Sequence, residues 1–426
     1  MKYFIRPLSR LKISYLKIVV LLCLVQFMAS CANKQVHTLT LTNALSLARP
    51  DEPIIISRQK LTELLGDIPS GMYPELTNSN GKPVPSQTDD MDHDGTWDEL
   101  AFVCNFQPDE EVKLNCHYVD KLPVYPLRTS VRFAKQDGKG GYMPIDTETM
   151  PADHTVEHTL QRYQLEGPGW ENDKIAFRNY FDRRNAIDIF GKKSTQMVLD
   201  KTDLDEKVAE YMHMQPWGMD IFTVKNSLGA GGLGVFVKDS LYRLSGAKTT
   251  RYELVTRGPV RSVIRLTYLN FTAGGQTFNV KHEISIWAGE PGYQSKVWLS
   301  GFSGERVLVS GIAHIKNKTL DVVNHNSDFM SLSTHDKQAD SGDYLGTALL
   351  IKKSDFIGAG EAPEVGEGVT QTYYAKLKAK NNEPVSFYFI AGWQQQDAGY
   401  ASADYFKNTL QQQAAKLSNP IIIAKQ

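Results

Sequence analysis

The densest group of polar and aromatic side chains lies in residues 166–193. A strand from residue 175 would place Arg178 and Tyr180 on the same face of a sheet, because side chains alternate along a strand. Carboxylates, guanidinium groups and aromatic rings on such a face could form a polar cleft that fits an anionic sugar. The candidate residues for this cleft are Trp170, Glu171, Asp173, Arg178, Tyr180, Arg184 and Asp188. The alternative is a sheet edge with surface ion pairs, each of which contributes little to stability.

A second group of candidates lies in residues 211–220, where Tyr211, Trp217 and Asp220 flank His213. Imidazole titrates near neutral pH, so His213 is a candidate general base. Trp217 and Asp220 are candidates for substrate binding. The alternative is that His213 has a structural role, which is more common for a lone histidine.

An acidic loop in residues 90–99 is the third candidate site. Three carboxylates alternate along it and a glycine follows, an arrangement by which a short loop places oxygen ligands around calcium. The candidate ligands are Asp90, Asp92, Asp94, Thr96, Asp98 and Glu99. Ala101 stands where an EF-hand loop has its last glutamate, so a pair of EF-hand helices is not predicted. We expect structural calcium here, and the alternative is an acidic turn ahead of a strand.

Other site motifs are absent from the sequence or lack their context. Gly229, Gly231 and Gly234 have the spacing of a dinucleotide-binding loop, but a predicted strand follows them where that motif needs a helix. The chain has no Gly-x-Ser-x-Gly, His-Glu-x-x-His or Cys-x-x-Cys sequence. Its formal charge of −1 gives no electrostatic reason to expect a nucleic-acid partner.

Residues 1–31 have the layout of a bacterial lipoprotein signal peptide. Basic residues come first, an apolar run over residues 18–27 follows, and small residues precede Cys31. We expect cleavage before Cys31 and lipidation of that cysteine, which would anchor the chain in the cell envelope, in the outer membrane and facing the periplasm. The alternative is plain cleavage and a free periplasmic protein. Residues 32–50 are polar and are predicted to be a tether.

Two cysteines remain in the mature chain. Cys104 and Cys116 lie in two apolar runs on either side of the polar stretch 107–111, which we interpret as a hairpin loop. The two residues would then be neighbours on paired strands and could form a disulfide in an oxidising compartment. Two buried free thiols would produce the same pattern, so both interpretations stay open.

The elements that must position these residues are predicted to be mainly β. From residue 53 onward, apolar and polar residues mostly alternate between turns rich in Gly, Asn and Asp. Residues 57–65 and 402–417 are the two stretches with a helical pattern, and Ser402 is a plausible N-cap of the second. We expect one large antiparallel β-sandwich over residues 51–426 with few short helices.

Four motifs together resemble a lipoprotein family of Bacteroidota polysaccharide-utilisation clusters, whose domain was long catalogued as of unknown function. They are Gln87-Thr-Asp-Asp-Met-Asp-His-Asp-Gly95, Trp170-Glu-Asn-Asp173, Arg184-Asn-Ala-Ile-Asp188 and Trp217-Gly-Met-Asp220. The resemblance covers nearly the whole mature chain and implies a galactose-mutarotase-like sandwich. It also implies a uronic-acid oligosaccharide as partner, and dehydration of the uronate at its non-reducing end to a 4,5-unsaturated sugar.

Such a β-elimination assigns roles to the candidates. Removing the C5 proton of a uronate requires neutralisation of the sugar carboxylate, a role that suits Arg178 and Arg184. His213 is the first candidate for the base and Tyr180 the second, while an acid must protonate the group that leaves C4. The enzyme is a dehydratase if that group is water and a polysaccharide lyase if it is a sugar, and the sequence does not distinguish them.

Two other classes of protein remain as alternatives to the dehydratase or lyase. A glycoside hydrolase or epimerase would use two carboxylates; these would come from among Glu171, Asp173, Asp188 and Asp220. A non-catalytic glycan-binding lipoprotein would use Trp170 and Trp217 as platforms for sugar rings.

Overall fold

The computed structural model describes residues 36–151, 154–204, 209–317 and 319–425. Within these ranges the chain is mainly β, its paired strands are antiparallel and its helices are few, which confirms the predicted fold class. Three α-helices lie in the same ranges: α1 (Arg58–Leu65), α2 (Val156–Arg162) and α3 (Ala403–Ser418). The side chains of Ser57 and Ser402 cap α1 and α3, so both predicted helices are confirmed. The predicted signal peptide and Cys31 lie outside the described residues.

The strands of the first half are β1 (His37–Thr42), β2 (Arg49–Ser57), β3 (Tyr73–Asn78), β4 (Ser86–Asp89), β5 (Glu99–Phe106), β6 (Glu111–Val119), β7 (Thr129–Arg132), β8 (Ala134–Gln136), β9 (Tyr142–Pro144), β10 (Thr147–Thr149), β11 (Gly169–Asn172), β12 (Ile175–Asn179), β13 (Ile187–Lys192) and β14 (Gly218–Asp220). Those of the second half are β15 (Ala230–Val237), β16 (Ser240–Arg243), β17 (Thr249–Arg257), β18 (Arg261–Ala273), β19 (Gln276–Trp287), β20 (Gly292–Ser300), β21 (Glu305–Ala313), β22 (Asp321–Asn324), β23 (Phe329–Asp336), β24 (Leu345–Lys352), β25 (Phe356–Glu361), β26 (Thr372–Lys380), β27 (Pro384–Trp393) and β28 (Ile422–Lys425). Short 3₁₀ turns are formed by Gln164–Glu166, Leu199–Lys201, Glu210–Met212 and Ala398–Ala401.

The larger core lies between two layers of strands. One layer is a nine-stranded sheet with the order β10-β17-β18-β19-β20-β27-β24-β23-β22. The other contains two five-stranded sheets, β14-β13-β12-β11-β7 and β16-β15-β21-β26-β25, which meet where Gly229 bridges Ile187. Phe177 of β12 packs across the core against Tyr293 and Phe389, with ring centroids 4.9 and 5.9 Å apart. The two layers therefore form a β-sandwich held together by large apolar side chains.

The prediction of a tether over residues 32–50 is wrong from His37 onward. Strand β1 pairs with β6 and β28, and Leu39 and Leu41 are fully buried. Threonine alternates with leucine along β1, so the strand has the right period, but it is too short to stand out in a polar segment. Both leucines belong to a smaller core between the sheets β28-β1-β6-β3 and β2-β5-β4. The division of the chain into domains stays a prediction.

The predicted hairpin between the two cysteines is also wrong. Strand β5 carries Cys104 and pairs with β2 and β4, whereas β6 carries Cys116 and pairs with β1 and β3. The cysteines therefore lie in different sheets, and both thiols are free. Burial raises the pKa of Cys104 to about 11 and that of Cys116 to about 12, so both are neutral thiols at pH 7.

Strand β15 contains Gly231 and Gly234 and continues through residues 235–237, where a strand was predicted. Gly229 has a φ of 73°, and a Cβ atom at this position would lie 2.1 Å from the carbonyl oxygen of Ile187. Glycine is therefore needed for the close approach of β13 and not for a phosphate group. Among the described residues, no helix has the length and apolar character needed to cross a bilayer.

Candidate functional site

Arg178 is the centre of a polar cluster on the outer face of the sheet β14-β13-β12-β11-β7. Alternation along β12 sends Phe177 into the sandwich core and Arg178 to the opposite face. Asp188 is the direct cross-strand partner of Arg178, and Asp220 pairs with Phe190 one strand further. Register alone therefore brings two carboxylates next to one guanidinium group. The predicted grouping of Arg178 with Tyr180 and Asp188 matches this arrangement, whereas Asp220 comes from the second predicted group.

The guanidinium group of Arg178 is almost fully occupied by protein groups. Its Nη2 donates to Tyr180 Oη at 2.8 Å, to Asp188 Oδ2 at 2.9 Å and to Asp220 Oδ2 at 3.1 Å. Its Nη1 lies 3.4 Å from both Glu166 Oε1 and Tyr211 Oη. The residue is only 3% exposed. The structure thus leaves Arg178 no free edge for a sugar carboxylate, and its predicted pairing with a uronate is wrong.

Asp188 and Asp220 are two buried carboxyl groups close to one cation. Burial raises the pKa of Asp188, and burial together with the charge of Asp188 raises the pKa of Asp220 well above its usual value. The attraction of Arg178 opposes both effects but does not cancel them. Both shifts favour the protonated form, more strongly at Asp220 than at Asp188, and the two groups titrate as a pair. Tyr180 Oη donates a hydrogen bond to Asp188 Oδ2 at 2.9 Å and so stabilises the carboxylate.

Arg184 lies at the solvent side of the cluster. Its guanidinium carbon is 3.9 Å from the centre of the Tyr180 ring, and its side chain is 25% exposed. Nη2 contacts Glu166 Oε2 and Asp182 Oδ2, each at 2.6 Å, while Nη1 has no hydrogen bond to any described residue. Arg184 therefore keeps one donor edge for an anionic ligand.

Two residues of the cluster, Glu166 and Tyr211, were not among the predicted site residues. Leu165 and Glu166 both have left-handed φ values, 59° and 56°, and this strained turn places the Glu166 carboxylate between the two arginines. Tyr211 lies on a 3₁₀ turn and covers the guanidinium group of Arg178 at 5.4 Å. Both segments are irregular, so no periodic signal in the sequence places them over β12.

A polar chain extends from the cluster to α2. Asp182 accepts hydrogen bonds from Arg184 and from Thr159 Oγ1, the latter at 2.8 Å, and Thr159 lies 3.0 Å from His154 Nε2. Burial lowers the pKa of His154, so its imidazole is neutral at pH 7. His154, half-buried, is thus connected to the cluster, and it was not among the residues predicted from the sequence.

His213 does not join the cluster. It follows the turn that carries Tyr211, but its side chain is exposed and has no hydrogen bond or ion pair with a described residue. The structure therefore does not bring His213 to the cluster, and its role as the base stays a prediction. Trp217 is half-buried, 6.4 Å from the Phe190 ring, and helps to cover the same sheet face.

Three other predicted binding residues have structural roles. Trp170 is 1% exposed and packs in the sandwich core against Phe177 and Tyr293, so it cannot be a platform for sugar rings. Glu171 is fully buried, bonds Lys192 Nζ at 2.7 Å and accepts from the backbone of the 198–199 turn. Asp173 forms an ion pair with Arg128 at 2.6 Å. Alternation puts Trp170 on the core face with Phe177, whereas Glu171 shares the outer face with Arg178 but is occupied by Lys192 and the 198–199 turn.

The acidic loop brings some of its predicted ligands together. One carboxylate oxygen from each of Asp90, Asp92 and Asp98 lies within 4.8 Å of the others, a spacing that could hold a cation. Glu99 does not join them, because it forms an ion pair with Arg261 at 2.7 Å. The Asp94 carboxylate accepts from the backbone of Thr96 at 2.7 Å and serves the turn itself. The residues that fit calcium are therefore the first three, and calcium binding stays a proposal.

A family model described as "Domain of unknown function (DUF4861)" matches residues 41–423. "Uncharacterized protein P7" of Formosa agariphila is 24% identical over 419 residues, which are 93% of this chain and 96% of that protein.

Two solved structures from Enterococcus faecalis overlap with the fold. They are a protein in the glycosyl hydrolase family 38 and an alpha-mannosidase, with TM-scores of 0.45 and 0.46 and 8% identity. Each alignment covers 92% of this chain but only 47% and 46% of the other chain, so this chain spans about half the length of either. Likeness at this level carries no conclusion about activity.

Proposed function

The chain belongs to the DUF4861 family, and we propose that it is a carbohydrate-active enzyme that dehydrates the non-reducing-end uronate of an oligosaccharide by β-elimination. The product would be a 4,5-unsaturated sugar. The observation that carries the proposal is the pair Asp188 and Asp220, which hydrogen-bond one nitrogen of Arg178 and have raised pKa values. Such a pair contains a carboxylate and a carboxyl group at the same time, and a β-elimination needs both a base and an acid.

The roles follow from the contacts of each group. Tyr180 Oη takes the C5 proton while it passes its own proton to Asp188, to which it is hydrogen-bonded, and the electron pair of the C–H bond becomes the C4–C5 double bond. The Asp220 carboxyl protonates the hydroxyl group at C4, which leaves as water. After the reaction the proton lies on Asp188, and exchange with solvent or with its partner restores the starting state. Asp188 thus acts through Tyr180, because it accepts the hydrogen bond of the Tyr180 hydroxyl group at 2.9 Å.

The uronate carboxylate must be neutralised while C5 loses its proton. Arg184 supplies that charge, since its Nη1 edge is unoccupied by described residues and it is the most exposed of the cluster's arginines. Arg178 instead compensates the carboxylates of the protein. The sequence analysis gave both arginines the same role, to neutralise the sugar carboxylate. In this proposal their roles differ.

A glycoside hydrolase is the second candidate, and the same pair favours it. Hydrolysis of a glycosidic bond also uses one protonated and one ionised carboxyl group, and a buried carboxyl such as Asp220 suits the acid. A hydrolase forms no conjugated double bond, so its products do not absorb as those of an elimination do. A lyase differs from the dehydratase only in its leaving group, a sugar in place of water.

The test incubates the mature protein with oligosaccharides that end in a saturated uronate, over several linkages, and records ultraviolet absorbance and product masses. Rising absorbance with loss of one water supports the dehydratase. Rising absorbance with chain cleavage replaces it by a lyase, and cleavage without absorbance by a hydrolase. Unchanged sugar with every linkage contradicts the enzymatic proposal and leaves glycan binding. Asp220→Asn is the inactive control.

We also propose that the enzyme is a lipoprotein of the cell envelope, anchored through Cys31. This rests on the signal-peptide layout of residues 1–31. Cys31→Ser should move the protein from the membrane fraction to the soluble periplasmic fraction while the folded part is unchanged. Equal membrane association of the two forms would contradict the anchor.

A further inference from the structure

A cavity of about 320 Å³ lies on the face of the nine-stranded sheet that points away from the sandwich core. Its floor comes from β19, β20 and β27, one wall from β2 and the other from α3. It is thus built where the smaller core meets the larger one, and junctions of this kind are frequent places for small-molecule sites. None of the residues of the Arg178 cluster contributes to its lining.

The charged groups around the cavity compensate one another. Lys416 Nζ contacts Glu290 Oε1 at 3.0 Å and Glu52 Oε2 at 3.4 Å. Arg49 Nη2 bonds the other Glu52 oxygen at 2.6 Å, and its Nη1 bonds the carbonyl of Asn419 after α3 at 2.8 Å. Two cations therefore match two carboxylates, and these contacts also fix β2 against α3. The walls leave no unpaired charge for an ionic ligand.

The floor has rings and unused hydroxyl groups. Trp287 and Tyr388 are among the lining residues, and Ser285 Oγ is buried with no hydrogen-bond partner among the described residues. Tyr388 Oη accepts from Gln294 Nε2 at 3.1 Å. Burial, with the nearby charges of Glu290 and Glu52, raises the pKa of Tyr388 to about 12, so its O–H stays protonated and available as a donor. A buried hydroxyl without a partner is costly, and a ligand with its own hydroxyl groups would satisfy it.

We propose that this cavity is a second binding site, which takes one uncharged sugar ring. The C–H faces of a sugar ring can pack on Trp287 and Tyr388, while its hydroxyl groups can pair with Ser285 and Tyr388. The volume lies at the lower end of the range for small-molecule sites, about 300–1,000 Å³, which fits one ring better than a long chain. The site is independent of the proposed elimination, because it needs no group of the Arg178 cluster.

The test measures binding of three neutral methyl glycosides (β-D-galactoside, α-L-rhamnoside and β-D-xyloside) by saturation-transfer NMR and calorimetry, with methyl β-D-glucuronide as the charged probe. We expect at least one neutral glycoside to bind in this cavity, whereas the glucuronide reports on binding at the Arg178 cluster and should be unaffected by changes in the cavity. Tyr388→Phe keeps the ring and removes one donor, so it should weaken binding about 3- to 10-fold. Ser285→Ala removes the other hydroxyl group and should also weaken binding.

Ile55→Trp tests the place of binding. Ile55 lines the cavity and is 43% exposed, so a larger side chain there can obstruct the entrance without disturbing a core. Binding should be lost in this variant and retained in Asp220→Asn, with unfolding temperatures measured for both. Unchanged affinity of the neutral probe in Ile55→Trp and Ser285→Ala, loss of its binding in Asp220→Asn, or no binding of any neutral probe would each overturn the proposal. A negative result for this cavity would not contradict the proposed elimination, because that reaction is measured separately by absorbance.

Discussion

Asp188 and Asp220 present their Oδ2 atoms to the same nitrogen of Arg178, at 2.9 and 3.1 Å. The two aspartates lie on neighbouring strands but are not cross-strand partners, since Asp220 pairs with Phe190. One guanidinium group thus connects carboxyl groups that burial separates from water. Taking a second negative charge out of water beside the first is costly, and protonation of one carboxyl group removes that cost.

The first prediction concerns stability against pH. The pKa of Asp220 is raised in the folded state by burial and by the charge of Asp188, so folding favours the protonated form. Its contribution to the free energy of unfolding is present below the ordinary aspartate pKa of 3.8 and is lost as pH rises through the folded pKa. Asp220→Asn should therefore flatten this decline and gain on the order of 1 kcal/mol at neutral pH or above. Denaturant unfolding from pH 4 to 9 measures the free energy of unfolding of both proteins. Parallel plots of this free energy against pH would contradict the prediction.

The second prediction concerns the acid and the base. Asp188→Asn and Asp220→Asn should each lower kcat by roughly 10²- to 10⁴-fold, the usual contribution of a positioned acid or base. His213→Ala should leave the rate unchanged, because that imidazole is exposed and outside the cluster. Steady-state rates on the best uronate substrate measure all three. A large loss in His213→Ala together with full activity in Asp188→Asn would restore His213 as the base.

The third prediction separates the two arginines. Arg178→Met removes the cation that compensates several buried carboxylates, so it should destabilise the fold by about 3–5 kcal/mol. Arg184→Gln affects a side chain that is 25% exposed, so it should keep most of the stability and raise KM for uronate substrates. Chemical denaturation measures the stability of each variant, and steady-state kinetics on the same preparations measure KM. Equal stability losses in the two variants would contradict the assignment.

The fourth prediction concerns calcium, which we propose as a structural ion in the acidic loop. Calcium should raise the unfolding temperature, since an ion that binds only the folded state stabilises it. Asp92→Asn and Asp98→Asn should remove most of this effect because their oxygens are grouped with that of Asp90. Asp94→Asn, outside that group, is the matched control and should retain it. Melting curves in calcium and in chelator provide the measurement, and identical curves for the unaltered protein would exclude the site.

The fifth prediction concerns the buried pair of Glu171 and Lys192, whose side chains are both fully buried. Glu171→Gln leaves an uncompensated ammonium group and should cost about 3–5 kcal/mol, whereas the double change Glu171→Leu with Lys192→Met should cost much less. Neither variant should alter KM when the rates are corrected for the folded fraction of the protein, because the pair is structural. A changed KM with unchanged stability would return Glu171 to substrate binding.

The sequence was informative where the relevant signal is local. Alternation of apolar and polar residues identified the β class, and serine caps identified α1 and α3, because both patterns lie within a few residues of chain. The same alternation predicted that Arg178 and Tyr180 share a face. It also made 170–220 the right region to search for a polar cluster.

Which residues meet in that cluster was decided by tertiary structure. Strand pairing placed Asp220 beside Asp188, and irregular turns placed Glu166 and Tyr211 over Arg178. Trp170 had the composition of a sugar platform, but the second layer of the sandwich covers it. Burial, strand partners and pKa shifts depend on atoms far away in the chain, and a single sequence does not contain the distances among them.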